Sequence, residues 1–315
     1  MPEICEAQSA VNQLNVIFWG HTVVEVKASS RFADADDRLI GWTSTGVSRR
    51  GKSILFEFEN LGAGSLFIFS RLGAKGSWRL LKNMEPKGEH FIRLRLQGPS
   101  GKIIVGFDTT AKDATVELGA FERDFAALKM MGPDILSDQF NELWLFACLR
   151  RHAIPVKAIL MRSEYFPGIG NWVASEALFR ARINPLTPGS DITEAQAARI
   201  VTALLLTVKN GIALGGADPW VNPDGSKGAA HNNFAVYARS EKLCYFCGTQ
   251  VKKIKVLGRA TFVCFTCQSG NEPAPVSPEF VSQILKSTEG LNQTCLKSSP
   301  QKSNAPSNTS LKKAT

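Results

Sequence analysis

Cys244-Tyr245-Phe246-Cys247 and Cys264-Phe265-Thr266-Cys267 are two equally spaced cysteine pairs, separated by 16 residues, in the C-terminal third of this sequence. They contain four of the seven cysteines, and an odd total with such clustering favours a metal site over a framework of disulfides. Four thiolates at this spacing are typical of a closed, tetrahedral zinc site. The sequence therefore predicts one structural zinc ion held by Cys244, Cys247, Cys264 and Cys267, with four buried or redox-active cysteines as the alternative.

A basic segment joins the two cysteine pairs. It contains Val251-Lys252-Lys253-Ile254-Lys255-Val256, and Arg259 follows it shortly before the second pair. We expect a basic β-hairpin that lays its cations along phosphates. A solvated hairpin face is the alternative interpretation.

A glycine-flanked turn, Pro167-Gly168-Ile169-Gly170-Asn171, leads into a predicted helix. Backbone N–H groups at such a helix start suit a phosphate. Tight packing of the two glycines is the alternative. The turn is therefore a candidate phosphate-binding site.

The N-terminus, Met1-Pro2-Glu3, offers a candidate nucleophile. Removal of Met1 would expose a secondary amine whose pKa, about 8, leaves more of it unprotonated at neutral pH than a lysine. Such an amine can attack a sugar C1′ and form an iminium, and Glu3 and Glu6 would be acid or base candidates beside it. Lys52 lies where a glycine tightens the entry to a strand, and local sequence favours an ordinary surface lysine there.

Hydrophobic periodicity predicts an α+β protein of several parts. A helix is expected over Ala7 to Phe18, and short β-rich runs up to about residue 130 predict a β-sandwich. Helical spacing from residue 137 to about 215 predicts a helical domain. Residues 217–233, rich in Gly, Asn, Pro and Asp, are expected to form a flexible loop.

Length and composition set the domain boundaries and the compartment. We predict a β-sandwich domain at 1–130, a helical domain with its loop at 131–233, a four-cysteine finger at 234–270 and a disordered basic tail at 271–315. The net charge of +9 favours a polyanionic partner. No apolar run approaches the ~20 residues of a membrane span, so a soluble intracellular protein, without membrane contact, is expected.

Together and in this order, these pieces resemble the formamidopyrimidine-DNA glycosylase/endonuclease VIII family of base-excision repair enzymes. The matching motifs are Pro2-Glu3, Arg50-Gly51-Lys52, the segment from Gly168 to Phe179 and the finger ending Gly258 to Gln268. The similarity covers about residues 1 to 268. It implies a catalytic β-sandwich with an N-terminal helix at 1–130, a DNA-binding helix-two-turns-helix domain with its lesion-side loop at 131–233, and a zinc finger β-hairpin.

The resemblance also implies roles for individual residues. Pro2 would be the nucleophile, Glu3 the general acid or base, Lys52 a proton donor in strand cleavage, and Arg259 a helper in the second elimination. The DNA-binding residues implied are His90, Lys157 and Asn171. The implied activity is removal of oxidised bases of the formamidopyrimidine or 8-oxoguanine type, flipped out of the duplex, followed by β,δ-elimination at the abasic site.

Three positions depart from the family pattern: Ala74 stands where a Met wedge is common, and Thr109 and Ala111 stand near the usual Arg and Phe. An apolar wedge stabilises unstacked duplex, so weaker opposite-base selection and tolerance of single-stranded DNA are expected. The alternatives are a preference for oxidised pyrimidines and a catalytically weak damaged-DNA-binding protein. We expect damaged DNA as partner, a monomer, protein partners through the tail, and a nuclear location in a eukaryote or a nucleoid location in a bacterium.

Overall fold

The chain begins with an α-helix, α1, over Ile4–Phe18. In this computed structural model, which describes residues 1–35, 37–86 and 88–269, the expected helix over Ala7 to Phe18 is confirmed and begins three residues earlier. The earlier start follows from Glu6, whose carboxylate accepts a hydrogen bond from the backbone N–H of Glu3 just before the helix. The N-terminus is thereby ordered before the first turn.

Eight antiparallel strands form one sheet, in the order β5-β7-β6-β1-β2-β3-β4-β8. They are β1 (Thr22–Ala28), β2 (Thr43–Arg50), β3 (Ser53–Asn60), β4 (Gly64–Arg71), β5 (Ser77–Leu80), β6 (His90–Gly98), β7 (Gly101–Thr109) and β8 (Thr115–Gly119). The sheet folds over on itself, because Trp78 of β5 packs 4.5 Å from Phe56 of β3 and donates to the hydroxyl of Ser70 on β4. The predicted β-sandwich is confirmed.

Five helices make up most of the next part of the chain. They are α2 (Ala126–Lys129), α3 (Glu142–Arg150), α4 (Val156–Leu160), α5 (Asn171–Arg180) and α6 (Glu194–Ala213). The helical domain expected between residues 137 and 215 is confirmed. Its apolar core also takes in Ile4 and Cys5, so the first residues of the chain are buried in the second domain.

Residues 220–228 form a hydrogen-bonded hairpin, where the sequence favoured a flexible loop. Trp220 is buried in the β-sandwich core, and the Pro223 carbonyl accepts a hydrogen bond from Leu80 N–H at 2.9 Å. The buried Asn222 amide accepts from Ser9 Oγ at 2.8 Å and from Trp220 Nε1 at 2.9 Å. This hairpin fastens the chain after α6 to the N-terminal domain.

The finger consists of two cysteine knuckles joined by the antiparallel pair β9 (Lys252–Val256) and β10 (Arg259–Val263), as expected. Phe179 of α5 contacts Phe246 at 5.6 Å between ring centroids, and Gln268 Nε2 donates to the Ile183 carbonyl. The expected disordered tail at 271–315 lies outside the described residues. Within them, no helix is long and apolar enough to cross a membrane.

Candidate active site

A cleft of about 670 Å³ lies where α1, the sandwich, α5 and the finger meet. It gathers five of the residues that the sequence singled out: Pro2, Glu3, Lys52, Asn171 and Arg259. These positions are spread over nearly 260 residues of sequence, so only the fold brings them together. His90 and Lys157 do not line this cleft.

Glu3 binds the first turn of α5. Its carboxylate is buried and accepts hydrogen bonds from the backbone N–H groups of Trp172 at 3.0 Å and Val173 at 3.1 Å. The sequence suggested a phosphate as the acceptor for these N–H groups, and that interpretation was wrong for these two. The partial positive charge of the helix N-terminus holds a catalytic candidate in place instead.

The two glycines of the turn explain how Glu3 approaches so closely. A Cβ at Gly170 would lie 2.1 Å from Glu3 Cδ, so any other side chain would expel the carboxylate. Gly168 has φ of +98°, and its carbonyl accepts a hydrogen bond from Ile4 N–H at 3.0 Å. The Gly-x-Gly pattern therefore serves close packing of the N-terminus against α5.

The protonation of Glu3 is tuned by its surroundings. Burial raises the pKa of the Glu3 carboxyl from 4.5 to about 7, the positive charge of Lys52 opposes this rise, and the negative charge of Glu6 adds to it. A carboxyl with this pKa exchanges a proton readily near neutral pH. The chemistry expected of Glu3 is therefore available at this position.

Glu6 has a structural task beside the cleft. One carboxylate oxygen accepts from Glu3 N–H at 2.8 Å and the other from Ala217 N–H at 2.7 Å. Burial raises the pKa of the Glu6 carboxyl above its usual value. Since both oxygens bind backbone groups, Glu6 links the N-terminus to the residues that follow α6.

Lys52 begins the approach to β3 from the tight turn after β2, and its side chain is half-buried. It is one of four cations on the cleft wall, together with Lys75, Arg79 and Arg259. None of the four forms an ion pair with a carboxylate within the described residues. Their charge is therefore available to a polyanion in the cleft.

Three residues that line the cleft were not singled out by the sequence analysis: Lys75, Arg79 and Trp220. For Arg79 there was a signal, because alternation along a strand places it on the opposite face from the buried Trp78. Trp220 reaches the cleft only through the hairpin after α6. Asp218 also lines the cleft and is exposed. No local pattern distinguished it from other loop acids.

Lys157, expected to grip phosphate, is fully buried. Its Nζ donates to Asn171 Oδ1 at 2.6 Å, to Thr261 Oγ1 at 2.7 Å and to the Ala260 carbonyl at 3.1 Å. Burial lowers the pKa of the Lys157 ammonium from 10.5 to about 8. All three ammonium protons are thus directed to protein acceptors.

His90 is the first residue of β6, paired with Thr109 of β7, and is partly exposed outside the cleft. Its expected role in DNA binding stays a prediction. Asn171, also predicted to bind DNA, lies at the start of α5 on the cleft wall.

Of the three positions that depart from the family pattern, Ala74 lies in the turn between β4 and β5, Thr109 ends β7, and Ala111 lies in the turn after it. Ala74 is exposed on the cleft wall, whereas Thr109 and Ala111 are buried in the sandwich. The turns are tied together by a hydrogen bond from Ala74 N–H to Asp113 Oδ1 at 3.3 Å. Neither buried residue projects into the cleft, so this wall presents no large apolar side chain at these positions.

The four finger cysteines converge. Their sulfur atoms lie within 4.8 Å of one another, with Cys244 and Cys267 separated by 3.8 Å and Cys247 and Cys264 by 3.4 Å. Zn–S bonds of ~2.3 Å in a tetrahedron place sulfurs ~3.8 Å apart. The donor set and its spacing fit a metal ion of this kind.

The chain combines a folded-over β-sandwich, a helical domain with a glycine turn and a cysteine finger around a cationic cleft. This combination defines the class of helix-two-turns-helix DNA-binding proteins. Family models agree: residues 1–111 match the formamidopyrimidine-DNA glycosylase N-terminal domain, and residues 131–219 match its H2TH domain. The chain belongs to the formamidopyrimidine-DNA glycosylase family, a family of bifunctional glycosylases and abasic-site lyases.

Individual relatives support this assignment. The formamidopyrimidine-DNA glycosylase of Thermus thermophilus is 32% identical over 279 residues, which cover 85% of this chain and 98% of the relative. The crystal structure of the MutM (Fpg) protein from the same species has a TM-score of 0.74 at 29% identity, covering 87% of this chain and all of that one. Lactococcus lactis Fpg in complex with DNA containing N7-benzyl-Fapy-dG has a TM-score of 0.75 at 26% identity, covering 85% and 99%.

Proposed function

We propose that this chain excises oxidised bases from DNA and then cleaves the abasic site by β- and δ-elimination through an iminium on Pro2. The observation that carries the proposal is the convergence of Pro2, Glu3, Lys52 and Arg259 in one cleft. Family membership supports the reaction class, and the Lactococcus relative holds DNA with a formamidopyrimidine lesion. The lesions we expect are of the formamidopyrimidine or 8-oxoguanine type.

The first step is attack by the Pro2 amine, freed by removal of Met1. Its lone pair bonds to C1′ of the flipped nucleotide, and the glycosidic bond breaks with its electrons passing to the base, which takes up a proton. Loss of the amine proton and opening of the C1′–O4′ bond leave an iminium and a hydroxyl at C4′. Glu3 has a suitable pKa to donate the proton that O4′ requires.

Strand cleavage follows from the iminium. Loss of a C2′ proton expels the 3′ phosphate, and loss of a C4′ proton then expels the 5′ phosphate. Lys52 is our candidate for proton transfer in this cleavage, and Arg259 for assistance in the second elimination. Both are cations without a carboxylate partner among the described residues, so they can also stabilise the departing phosphates.

DNA binding would rest on the four cations of the cleft wall and on Asn171. A positive cleft attracts a phosphate backbone and releases its counterions. His90 and the basic strand β9 are further candidates for backbone contact. We therefore expect affinity that falls steeply as salt rises.

Zinc is the metal we propose for Cys244, Cys247, Cys264 and Cys267. When bound, it supplies structural stability to the finger and no reaction step. Metal analysis of the purified protein should give one zinc per chain, and a Cys264→Ser variant should lose it. A Cys148→Ser variant, changed at a buried cysteine of α3 in the helical core and outside the finger cluster, should keep the metal. Protein with four free thiols and no metal would contradict the proposal.

Borohydride trapping tests the reaction. The wild type, with Met1 removal verified by mass spectrometry, should cross-link to an abasic-site duplex and nick it. Pro2→Gly and Glu3→Gln should reduce trapping by at least ~100-fold, the usual scale for losing a nucleophile or general acid. Glu59→Gln, at an exposed position on β3, is the matched control and should behave like the wild type. A protein that binds the DNA but neither cross-links nor nicks it would be a damage-binding protein instead.

A second candidate function is cleavage of single-stranded DNA, or of DNA in which the lesion has no paired base. The cleft wall that carries Ala74 favours it. Since Thr109 and Ala111 face inward, little protein would fill the gap left by a flipped base. Cleavage rates with the lesion opposite each of the four bases should then differ by less than ~10-fold. A strong preference for cytosine would exclude this candidate. A screen that includes oxidised pyrimidines would test the endonuclease VIII-like alternative.

A further inference from the structure

Lys157 occupies a closed junction between two parts of the cleft wall. Its ammonium is fully buried, and its three hydrogen-bond acceptors belong to Asn171, Ala260 and Thr261. Asn171 starts α5, the helix that binds Glu3, whereas the other two follow Arg259 on β10. One side chain therefore connects the Glu3-binding turn to the finger strand that carries Arg259.

Several other contacts also attach the finger to the helical domain. Phe179 packs against Phe246, Tyr237 packs against Phe262, and Gln268 binds the carbonyl of Ile183. The first and third of these contacts hold the body of the finger, and the second reaches β10 at Phe262, three residues after Arg259. Arg259 itself is exposed and lies next to Ala260, which accepts from Lys157.

We propose that Lys157 is a positioning residue that holds Arg259 in register with the Glu3-binding turn and so determines how completely the second elimination follows the first. This inference rests on the proposed function. A direct phosphate contact by Lys157, the role implied by the family resemblance, would require one of its three acceptors to be displaced.

The ammonium form matches the junction. Three N–H donors meet three acceptors, and a neutral amine would leave one acceptor without a donor. Burial lowers the pKa of Lys157 to about 8, the Glu3 carboxylate raises it, and Arg259 lowers it further. The junction is thus filled by a charge whose cost of burial is offset by its three partners.

The experiment measures single-turnover cleavage of an abasic-site duplex, with β- and δ-elimination products quantified separately. Lys157→Met should lower the ratio of δ to β product by about 10-fold, as expected for loss of charged hydrogen bonds that place a reacting group. Thr261→Val removes one acceptor with little change of shape and should lower the ratio by a smaller factor, about 3-fold. The double variant should be no worse than Lys157→Met, because both changes break one junction.

A binding readout separates positioning from phosphate contact. The salt dependence of affinity for a reduced abasic site should keep its slope in Lys157→Met, whereas loss of a phosphate contact would reduce the slope by about 0.9. Lys209→Met, which removes an exposed charge on α6, is the control and should leave product ratio and slope unchanged.

The outcomes are distinct. Two results for Lys157→Met would overturn the inference and leave the proposed function intact. One is an unchanged ratio of δ to β product; the other is a salt-dependence slope reduced by about 0.9, the value for one lost phosphate contact. A wild type that gives no trapped complex and no β product overturns the proposed function itself. If Lys157→Met does not fold, as judged by circular dichroism and zinc content, Thr261→Val decides the inference: a ratio equal to the wild type overturns it.

Discussion

The carboxylate of Glu3 accepts a hydrogen bond from the backbone N–H of Trp172, 169 residues further along the chain, at 3.0 Å. This contact places an acid of the N-terminal helix at the positive end of a helix in the second domain. The catalytic candidates of one domain are thus oriented by the other, and the close approach depends on the absence of a side chain at Gly170.

Gly170→Ala should therefore disable the enzyme while leaving the fold. A Cβ placed 2.1 Å from Glu3 Cδ must push the carboxylate off Trp172 and Val173. We expect a fall of about 100-fold or more in abasic-site cleavage, because misplacing a catalytic group by ~1 Å has an effect of that order. Gly46→Ala, at a site with room for a methyl group on β2, should keep wild-type cleavage. Equal rates in the two variants would contradict the role given to Gly170.

The pH dependence of stability should report Glu3. Its pKa is about 7 in the folded protein and 4.5 otherwise, so the folded state binds the proton more tightly. Its contribution is fully present below about pH 4.5 and is lost as the pH rises through 7, by on the order of 3 kcal/mol. The free energy of unfolding of wild type should fall relative to Glu3→Gln over this window in urea titrations. A difference between the two proteins that does not vary with pH would show that Glu3 is not tuned in this way.

Glu176→Gln should loosen the attachment of the finger. The buried Glu176 carboxylate accepts hydrogen bonds from three consecutive backbone N–H groups, of Ala235, Val236 and Tyr237, at 2.8 to 2.9 Å. An amide offers one acceptor oxygen and turns an NH2 group toward these donors. We expect a loss of about 2 to 3 kcal/mol in the free energy of unfolding, measured in urea. Glu59→Gln should change it by less than ~0.5 kcal/mol, as is usual for an exposed position.

Ala74→Met should restore an apolar wedge to the cleft wall. The added side chain is expected to favour a kinked duplex over single-stranded DNA, raising the ratio of duplex to single-strand cleavage by about 10-fold. Ala63→Met, in an exposed turn between β3 and β4, serves as the control for added hydrophobic surface. If the ratio of duplex to single-strand cleavage changes equally in both variants, the wall bearing Ala74 does not contact the DNA duplex at the lesion.

Sequence patterns identified the parts of this protein whose signals are local. The cysteine spacing placed the finger, the periodicity placed α1 and α3 to α6, and apolar runs placed β3, β4, β6 and β7. Strands β1, β2, β5 and β8 were not foreseen: β5 and β8 are short, β2 is rich in Thr, Ser and Arg, and the valines of β1 alternate with charged residues near its end. Their pairing is determined by neighbours in the sheet, which no local window contains.

The residues of the site divide in the same way. Pro2 and Glu3 were candidates from the chemistry of a free N-terminal proline amine, whereas the roles of Lys52 and Arg259 came only through the family resemblance, since nothing in their own neighbourhoods distinguishes them from ordinary residues. The burial of Lys157 and the ordered hairpin around Trp220 escaped prediction because both depend on partners more than 100 residues away. Turn-forming composition at 217–233 indicated a break in helix and gave no information on where the segment packs.

The long span between Glu3 and its partner has a consequence for biosynthesis. The ribosome completes the amine-bearing terminus first, yet the helix turn that orients Glu3 emerges about 170 residues later and Arg259 later still. A nascent or truncated chain therefore carries the N-terminal amine and Glu3 without the α5 turn that orients Glu3, the Lys157 junction or the finger. We expect reactivity toward sugar aldehydes only after α5 and the finger have been synthesised and have docked onto the N-terminal domain. Folding of the later domains would then activate the enzyme.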